Sequence, residues 1–521
     1  MALPRQSVVT NDPRHESTAR PRVSSLFIVL AIVLACADNF ADPDLWRHLL
    51  IGKAILSSGH IPSYDTYSYT VAGFPTRNHE WLSEVIFALA YGWCGVLGLK
   101  LIKLTCATIA LVALAAGLAR TAASARIQRT LLVLTAAGLT TQMQFRPQLF
   151  TFAMLSVVMA VLAAEVYGDG APVWPLVPMF ALWANLHGGF STGLGALGIA
   201  AVVLTAQELH AGTRPHRGRR IGLLTILAAC ATLVNPLGIG IWTNVLHSVT
   251  DPLLRLIMND WVPLPKMMLY LWHNSSMQLL QVVLALGLFG AFLCSIVIAP
   301  TLDDAPLMAV AMVFVGAAFY MMRNVALGVI AVAIPLAHHL ALALAKRARS
   351  DAESPGAGTE LSPALIAIVI ALVVVSGGLL SPRLPTWEPV PAGALEFMKN
   401  RGLQGNILNQ FEWGDYIVWH QPQNRIFVDV RAELLYPDAV MREYAEFYYD
   451  MPGARRALGA YPTDYVLIKS ETGGARVVES DPAWKIIYRD DVATLYAPAS
   501  SPIAPASEVS KPAEIGSTYF P

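Results

Sequence analysis

The sequence predicts a polytopic α-helical membrane protein with about 11 transmembrane helices, N-terminus inside and C-terminus outside, carrying a small C-terminal exported α/β domain. Three observations predict it. Of 521 residues, 55% are hydrophobic and only 14% charged, whereas soluble domains carry about 25% charged side chains. Many apolar stretches approach the roughly 20 residues that cross a bilayer. Lys and Arg recur in alternate connecting segments, the asymmetry that orients membrane helices. A soluble enzyme of this size is excluded. With 36 basic against 36 acidic residues the formal net charge is zero, so the electrostatic footprint of a nucleic-acid partner is missing.

Residues 1–23 hold Arg5, Arg14, Arg20 and Arg22 among polar residues and prolines. The segment is too long and mixed for a cleaved signal peptide and reads as a disordered cytoplasmic tail. Apolar stretches follow near 24–41, 96–119, 129–145, 148–166, 173–187, 190–209, 221–237, 278–298, 306–322, 325–345 and 363–381, giving a transmembrane region over 24–384. With the N-terminus inside, three basic groups share the inner side: Arg120, Arg126 and Arg129; Arg214, Arg217, Arg219 and Arg220; and Lys346, Arg347 and Arg349. Loops 42–95 and 238–277 and the region after 381 then lie outside. The gaps 167–172 and 299–305 carry no Lys or Arg and report no side.

Loop 42–95 ends in "NHEWLSEVIFALAYGW", where apolar residues at helical spacing are broken by Glu80 and Glu84. That pattern predicts an amphipathic helix on the membrane surface. Loop 238–277 has the similar runs "IWTNVLHSV" and "NDWVPLPKMMLYLWHN", with Trp and Tyr suited to the interface. Beyond residue 385, "GNILN", "RIFVDV", "DYVLIKS" and "VATLYAP" are β-rich runs between helical stretches such as 433–449. They predict an exported α/β domain over 385–498. Residues 499–521, rich in Pro, Ser and Ala, read as a disordered tail. The five cysteines show no CxxC spacing, so neither a disulfide framework nor a zinc site follows. No internal repeat is visible, which argues against transporters built from duplicated halves.

Three constellations carry polar chemistry. In "DNFADPDLWRH", Asp38, Asp42, Asp44 and His48 crowd the exported surface. A carboxylate there acts as general base towards an acceptor hydroxyl, or holds a divalent metal against a diphosphate; the structural alternative has Asp44 capping the next helix. "TRNHEW" adds His79 and Glu80, and "PSYDTYSYT" adds Asp65, as one acid/base or metal pocket or else as a solvated loop face. No HExxH or other tight metal spacing is present. The second set is Arg146 in "QFRPQLF", Asn185 and His187 in "WANLHGGF", Asn235 in "LVNPLG", and Arg323 with Asn324 in "MMRNVALG". These are costly against lipid and should face the bundle interior. At the exported span ends they surround one cavity, where Arg146 and Arg323 suit an anionic phosphate; otherwise they are interhelical glue. The third, "NQFEWGDYIVWHQPQNRIFVDVRAELLY", packs Glu412, Trp413, Asp415, Tyr416, His420, Asp429 and Arg431 together. It binds a sugar or peptide, or it is a domain core with Asp429 paired to Arg431.

These segments resemble the superfamily C glycosyltransferases, polytopic enzymes that use polyprenyl-phosphate-linked sugars. The similarity is to a bacterial branch with segments like "DPDLWRHLLIGKAIL", "IPSYDTYSYT", "NHEWLSEV", "RPQLFTF", "WANLHGGF", "NPLG" and "EWGDYIVW", and covers most of 38–340 and 400–495. The resemblance implies a catalytic base or metal-linked carboxylate in the first exported loop, at Asp42 or Asp44. The "DP" also resembles oligosaccharyltransferase catalytic subunits, which points to Asp42. Those enzymes carry Trp-Trp-Asp-Tyr-Gly in the exported domain; the order here, "WGDY", differs.

The expected activity is transfer of a sugar from a polyprenyl-phosphate donor to an exported glycan, lipid or protein acceptor, at the inner membrane. Asp42 or Asp44, with His48, His79 and Glu80, would do the chemistry. Asp65, Arg146, Asn185, His187, Arg323, Trp413, Asp415 and Tyr416 would bind substrate, and Asp42 and Asp44 would be the ligands of any divalent metal. The contrasting class is a transporter or a membrane scaffold for an exported domain. A transporter keeps ionisable groups near mid-span, whereas these lie near span ends.

Overall fold

The computed structural model of the chain describes residues 25–168, 170–250, 261–274, 276–350, 378, 381–386, 388–504 and 519–520. The expected tail 1–23 lies outside the described residues, as does almost all of the expected span 363–381.

A helical bundle comes first in the chain: α1 (Ser25–Ala35), α2 (Asp44–Ser58), α3 (Trp81–Cys94), α4 (Val96–Leu118), α5 (Ala125–Leu139), α6 (Gln148–Tyr167) and α7 (Leu176–Leu186). It continues with α8 (Phe190–His210), α9 (His216–Ala231), α10 (Gly240–Thr250), α11 (Leu264–Asn274), α12 (Ser276–Ile298), α13 (Ala305–Tyr320) and α14 (Val325–Ser350). Among the described residues, five helical segments are long and apolar enough to cross a membrane: Val96–Leu118, Gln148–Tyr167, Phe190–His210, Gln278–Ile298 and Met322–Arg347. Ser25–Ala35, Trp81–Cys94, Leu176–Leu186 and Ala305–Tyr320 are apolar but shorter. Two of the other expected spans are short helices in the structure. Pro175 and His187 bound α7 at 11 residues, and a 3₁₀ turn at Thr140–Gln142 follows α5. On the outer faces Val202, Ile226, Val313 and Val297 stand exposed, a surface suited to lipid rather than water.

The surface helix expected at the end of loop 42–95 is instead α3, whose Ser83, Glu84, Phe87 and Ala88 are buried in the protein. A close approach explains the burial. A Cβ at Gly52 of α2 would fall 2.1 Å from the Glu84 carbonyl oxygen, so only glycine lets the two backbones touch. Gly52→Val is therefore expected to separate α2 from α3 and lower stability by about 1–3 kcal/mol. Thermal unfolding of the detergent-solubilised chain checks this, and an unchanged midpoint would refute the close contact.

Residues after 384 build a five-stranded mixed sheet from β2 (Asn406–Asn409), β3 (Arg425–Ile426), β4 (Tyr465–Lys469), β5 (Trp484–Arg489) and β6 (Ala493–Pro498), in the order β3-β2-β4-β6-β5. The β2 strand runs parallel to β3 and β4, and β6 is antiparallel to β4 and β5. "WKIIYR", which forms β5, is a strand the sequence reading omitted. Just past β3 the Phe427 N–H donates both to Ile407 O at 3.0 Å and to Asn409 Oδ1 at 2.9 Å, and Asn409 Nδ2 donates to Val428 O at 2.8 Å. The edge of β3 is closed by loop 42–95: Ile426 N–H donates to Tyr67 O and Tyr69 N–H to Ile426 O. An edge covered this way cannot pair with another chain. A second contact ties the regions together, since β1 (Leu384–Pro385) pairs antiparallel with β7 (Tyr519–Phe520). The tail expected to be disordered over 499–521 thus returns at Phe520, whose ring packs 5.2 Å from Trp46. Trp46, Phe87 and Phe145 share one apolar cluster with Ile407, Trp413, Tyr416 and Leu495.

Candidate functional site

A cavity of about 950 Å³ opens where the first loop, the ends of several bundle helices and the C-terminal region meet. Asp38, Asp42, Asp44, His48, His79, Glu80, Arg146, His187 and Arg323 all line it. Residues scattered over 286 positions of sequence thus converge, from Asp38 to Arg323.

The acidic corner is built on the start of α2. Asp42 Oδ1 accepts the Asp44 N–H at 3.0 Å, a turn that leads into α2, while Asp44 is the first helical residue and not its cap. Arg146, held in the turn before Pro147 and α6, reaches both carboxylates: its Nε lies 2.6 Å from Asp42 Oδ1 and 3.3 Å from Asp44 Oδ2. Burial pushes the Asp42 carboxyl up to about 7, with the Arg146 charge opposing the rise. Burial likewise raises Glu80 to about 7 against the pull of Arg47. The residues present do not fit a bound divalent cation. A guanidinium already bridges the acidic pair, and among the described residues no three His, Cys, Asp or Glu side chains come together as a ligand set.

The histidines stand beside this corner. Gly189 N–H donates to His187 Nδ1 at 3.0 Å, so Nδ1 is the acceptor and Nε2 carries the proton. That Nε2 faces Glu80 Oε1 at 3.7 Å, and His79 Nε2 lies 3.9 Å from the same oxygen. Thr151 Oγ1 sits 2.8 Å from His187 Nδ1 and accepts the Trp183 indole N–H, which fixes the ring. His48 is less exposed, its Nδ1 3.4 Å from Glu84 Oε1; burial and the Arg47 charge hold it well below the usual imidazole range and therefore neutral.

Arg323 follows α13 in a 3₁₀ turn at Met322–Asn324. It stacks 4.4 Å over the Trp261 ring and makes no ion pair among the described residues. The two candidate phosphate ligands thus differ: Arg146 is already committed to carboxylates, whereas Arg323 offers its charge to the cavity.

Four expected binders lie off the cavity wall and have structural duties, and a fifth, Asp65, supports it indirectly. Asn185 accepts the Trp81 indole N–H and donates to Ala181 O and Val234 O. Asp65 takes the Ser68 N–H and holds Arg431 at 2.7 Å. Trp413 is 1% exposed and donates to Pro389 O. Tyr416 packs edge-on against Trp46 at 5.4 Å. Asp415 is buried 3.9 Å from Arg47. The aromatic density around "WGDY" is core packing, because this segment is the seam between sheet and bundle. Asn235 also acts locally, accepting the Leu237 N–H and donating to Thr232 O.

What the C-terminal region sends into the cavity is Glu388, Phe411, Glu412, Val430 and Arg431. Arg431 is gripped by Asp429, Nε to Oδ1 at 2.9 Å, so the pairing read from the sequence is present. Arg47, Gln142, Thr151 and Asn244 also line the wall and were missed. Arg47 falls one turn after Asp44, and Asn244 and Ser248 are one turn apart on α10; that spacing was the available signal.

No family model and no curated protein sequence matches the chain. Solved structures do. An archaeal oligosaccharyltransferase, AglB from Archaeoglobus fulgidus, in complex with an inhibitory peptide and a dolichol-phosphate, superposes with a TM-score of 0.54 at 11% identity over 85% of this chain and 69% of that one. The apo form of the Archaeoglobus fulgidus oligosaccharyltransferase gives 0.52 at 11% identity over 92% of this chain and 74% of that one. The same enzyme tethered to an acceptor peptide gives 0.53 at 12% identity over 85% and 68%. The chain therefore shares the fold of these archaeal oligosaccharyltransferase structures.

Proposed function

We propose that the chain is a membrane glycosyltransferase that moves a sugar from a polyprenyl-phosphate donor to an acceptor on the exported side of the inner membrane. The observation that carries this reading is a single cavity with a carboxylate pair, Asp42 buried and Asp44 half-buried, and, separately, a guanidinium outside any ion pair among the described residues. A donor needs both. The basic residues on alternate segments support a cavity that opens outside, and the fold shared with oligosaccharyltransferases supports the reaction type.

Asp42 Oδ1 faces Arg146 and the Asp44 N–H, and the carboxylate lines the cavity. Oδ2 receives the proton of the acceptor group as the acceptor atom bonds to the anomeric carbon. The bond from that carbon to the phosphate oxygen breaks, and polyprenyl phosphate leaves with its charge facing Arg323. Asp44 keeps Arg146 in position. His187 and His79 hold Glu80, and Glu388, Glu412 and Arg431 form the wall from the C-terminal region, where an acceptor would be selected.

The reading is tested with the full chain in liposomes and a radiolabelled polyprenyl-phosphate sugar. Release of polyprenyl phosphate coupled to label on a water-soluble acceptor fraction is expected. Donor binding without turnover across a panel of glycan, lipid and peptide acceptors would favour a non-enzymatic protein. A pH profile adds a second check. A carboxyl raised to about 7 is protonated below that value and cannot accept a proton, so kcat/KM is expected to fall about tenfold per unit as pH drops from 7 to 5. A flat profile over that range would exclude Asp42 as base.

A further inference from the structure

The cavity wall away from the acidic corner carries polar groups of another kind. Asn244, Ser248, Gln142, Gln278 and Gln281 line it, contributed by α10, the 3₁₀ turn after α5, and α12. The helix α12 packs against that turn, and the glutamines of both face the same cavity. None of the five is charged. Asn244 is 4% exposed, and its Nδ2 has no hydrogen-bond partner. Buried amide donors are almost always satisfied, and an orphan facing a cavity marks a place for a ligand atom. Other polar groups on this surface have partners within the protein: Thr151 with His187, Gln148 with Gln142 O, Thr192 with Gly189 O. Asn244 Nδ2 differs in having no such partner.

Resting on the glycosyltransferase reading above, we infer that this wall binds the donor's sugar through Asn244 and its neighbouring amides, and that the sugar is uncharged. An amide both donates and accepts, as a sugar hydroxyl does. A carboxylated sugar would call for a cation on this wall and an amino sugar for a carboxylate, and the five groups include neither. The wall lies in the same cavity as Arg323, so one ligand spans both, with phosphate on the guanidinium and hydroxyls on the amides. A site built around such hydrogen bonds discriminates strongly against a ligand that lacks the matching group.

The test is equilibrium binding to the full chain in lipid nanodiscs with four probes: polyprenyl phosphate alone, and the glucose, glucosamine and glucuronate esters of the same polyprenyl phosphate. The glucose ester is expected to bind at least about tenfold tighter than the phosphate alone, the scale of one or two neutral hydrogen bonds. Asn244→Leu, similar in size, should remove about tenfold of that preference while leaving polyprenyl phosphate binding unchanged. Ser248→Ala, one turn along, should act in the same direction and guards against misfolding of the first variant. Equal affinity for glucose ester and bare phosphate overturns the inference, as does tighter binding of either charged ester. Loss of bare-phosphate binding in Asn244→Leu, with an unchanged melting curve, would also overturn it, by putting the amide on the phosphate. Failure of all four probes to bind would instead bring down the glycosyltransferase reading itself and the inference with it.

Discussion

Asp42→Asn is expected to leave a folded, membrane-inserted protein whose transfer rate has fallen by about 10²–10⁴, the contribution of a positioned general base. The change keeps the side-chain shape and its oxygen at Oδ1, so the hydrogen bond from the Asp44 N–H and a contact to Arg146 can persist. What disappears is the second carboxylate oxygen as a proton acceptor. Asp44→Asn makes the control, because Asp44 meets Arg146 at 3.3 Å rather than 2.6 Å and is more exposed. Its loss should be smaller and should come with a shift in the acidic limb of the pH profile, since Arg146 would then lie closer to Asp42 in effect. Initial rates with saturating donor, measured alongside melting curves, separate the two. Wild-type turnover by Asp42→Asn would remove it from the chemistry.

Arg323→Gln is expected to weaken donor binding by about 10–100-fold, the range of a hydrogen bond to a charged group. Its guanidinium is stacked on Trp261 and makes no ion pair among the described residues, so removing it breaks no direct pair, and Glu80 keeps the larger pull of Arg47. Stability should therefore change little. Arg146→Gln should behave oppositely. It takes away the guanidinium that bridges the buried Asp42 and the half-buried Asp44, and removing one partner of a buried pair costs about 3–5 kcal/mol. Titration of polyprenyl phosphate into both variants, with thermal unfolding in parallel, distinguishes a phosphate ligand from a structural cation. Unchanged affinity in Arg323→Gln together with a lost phosphate site in a still-folded Arg146→Gln would reverse the two assignments.

The sequence by itself determined the solvent and the inventory. Its hydropathy required a membrane, because 14% charged residues cannot clothe a chain of this size in water. Its β-rich runs after residue 385 held β2, β3, β4 and β6, since alternating or continuous apolar runs of that length bury best in a sheet. It also supplied the acids, histidines and arginines of the cavity, because ionisable groups at span ends are too costly to be incidental. Tertiary structure alone decided what each does. Arg146 and Arg323 look alike in sequence; the first pairs with Asp42, and the second stacks on the Trp261 ring. Trp413, Asp415 and Tyr416 look like a binding patch until Trp46 and Arg47 of α2 close over them. Glu84 looks like a surface charge until Gly52 admits α2 against it. In each case the deciding partner is far away in the chain. The energy of a charged or aromatic group depends on which neighbours desolvate or pair it, and no local pattern encodes neighbours that only folding brings into contact.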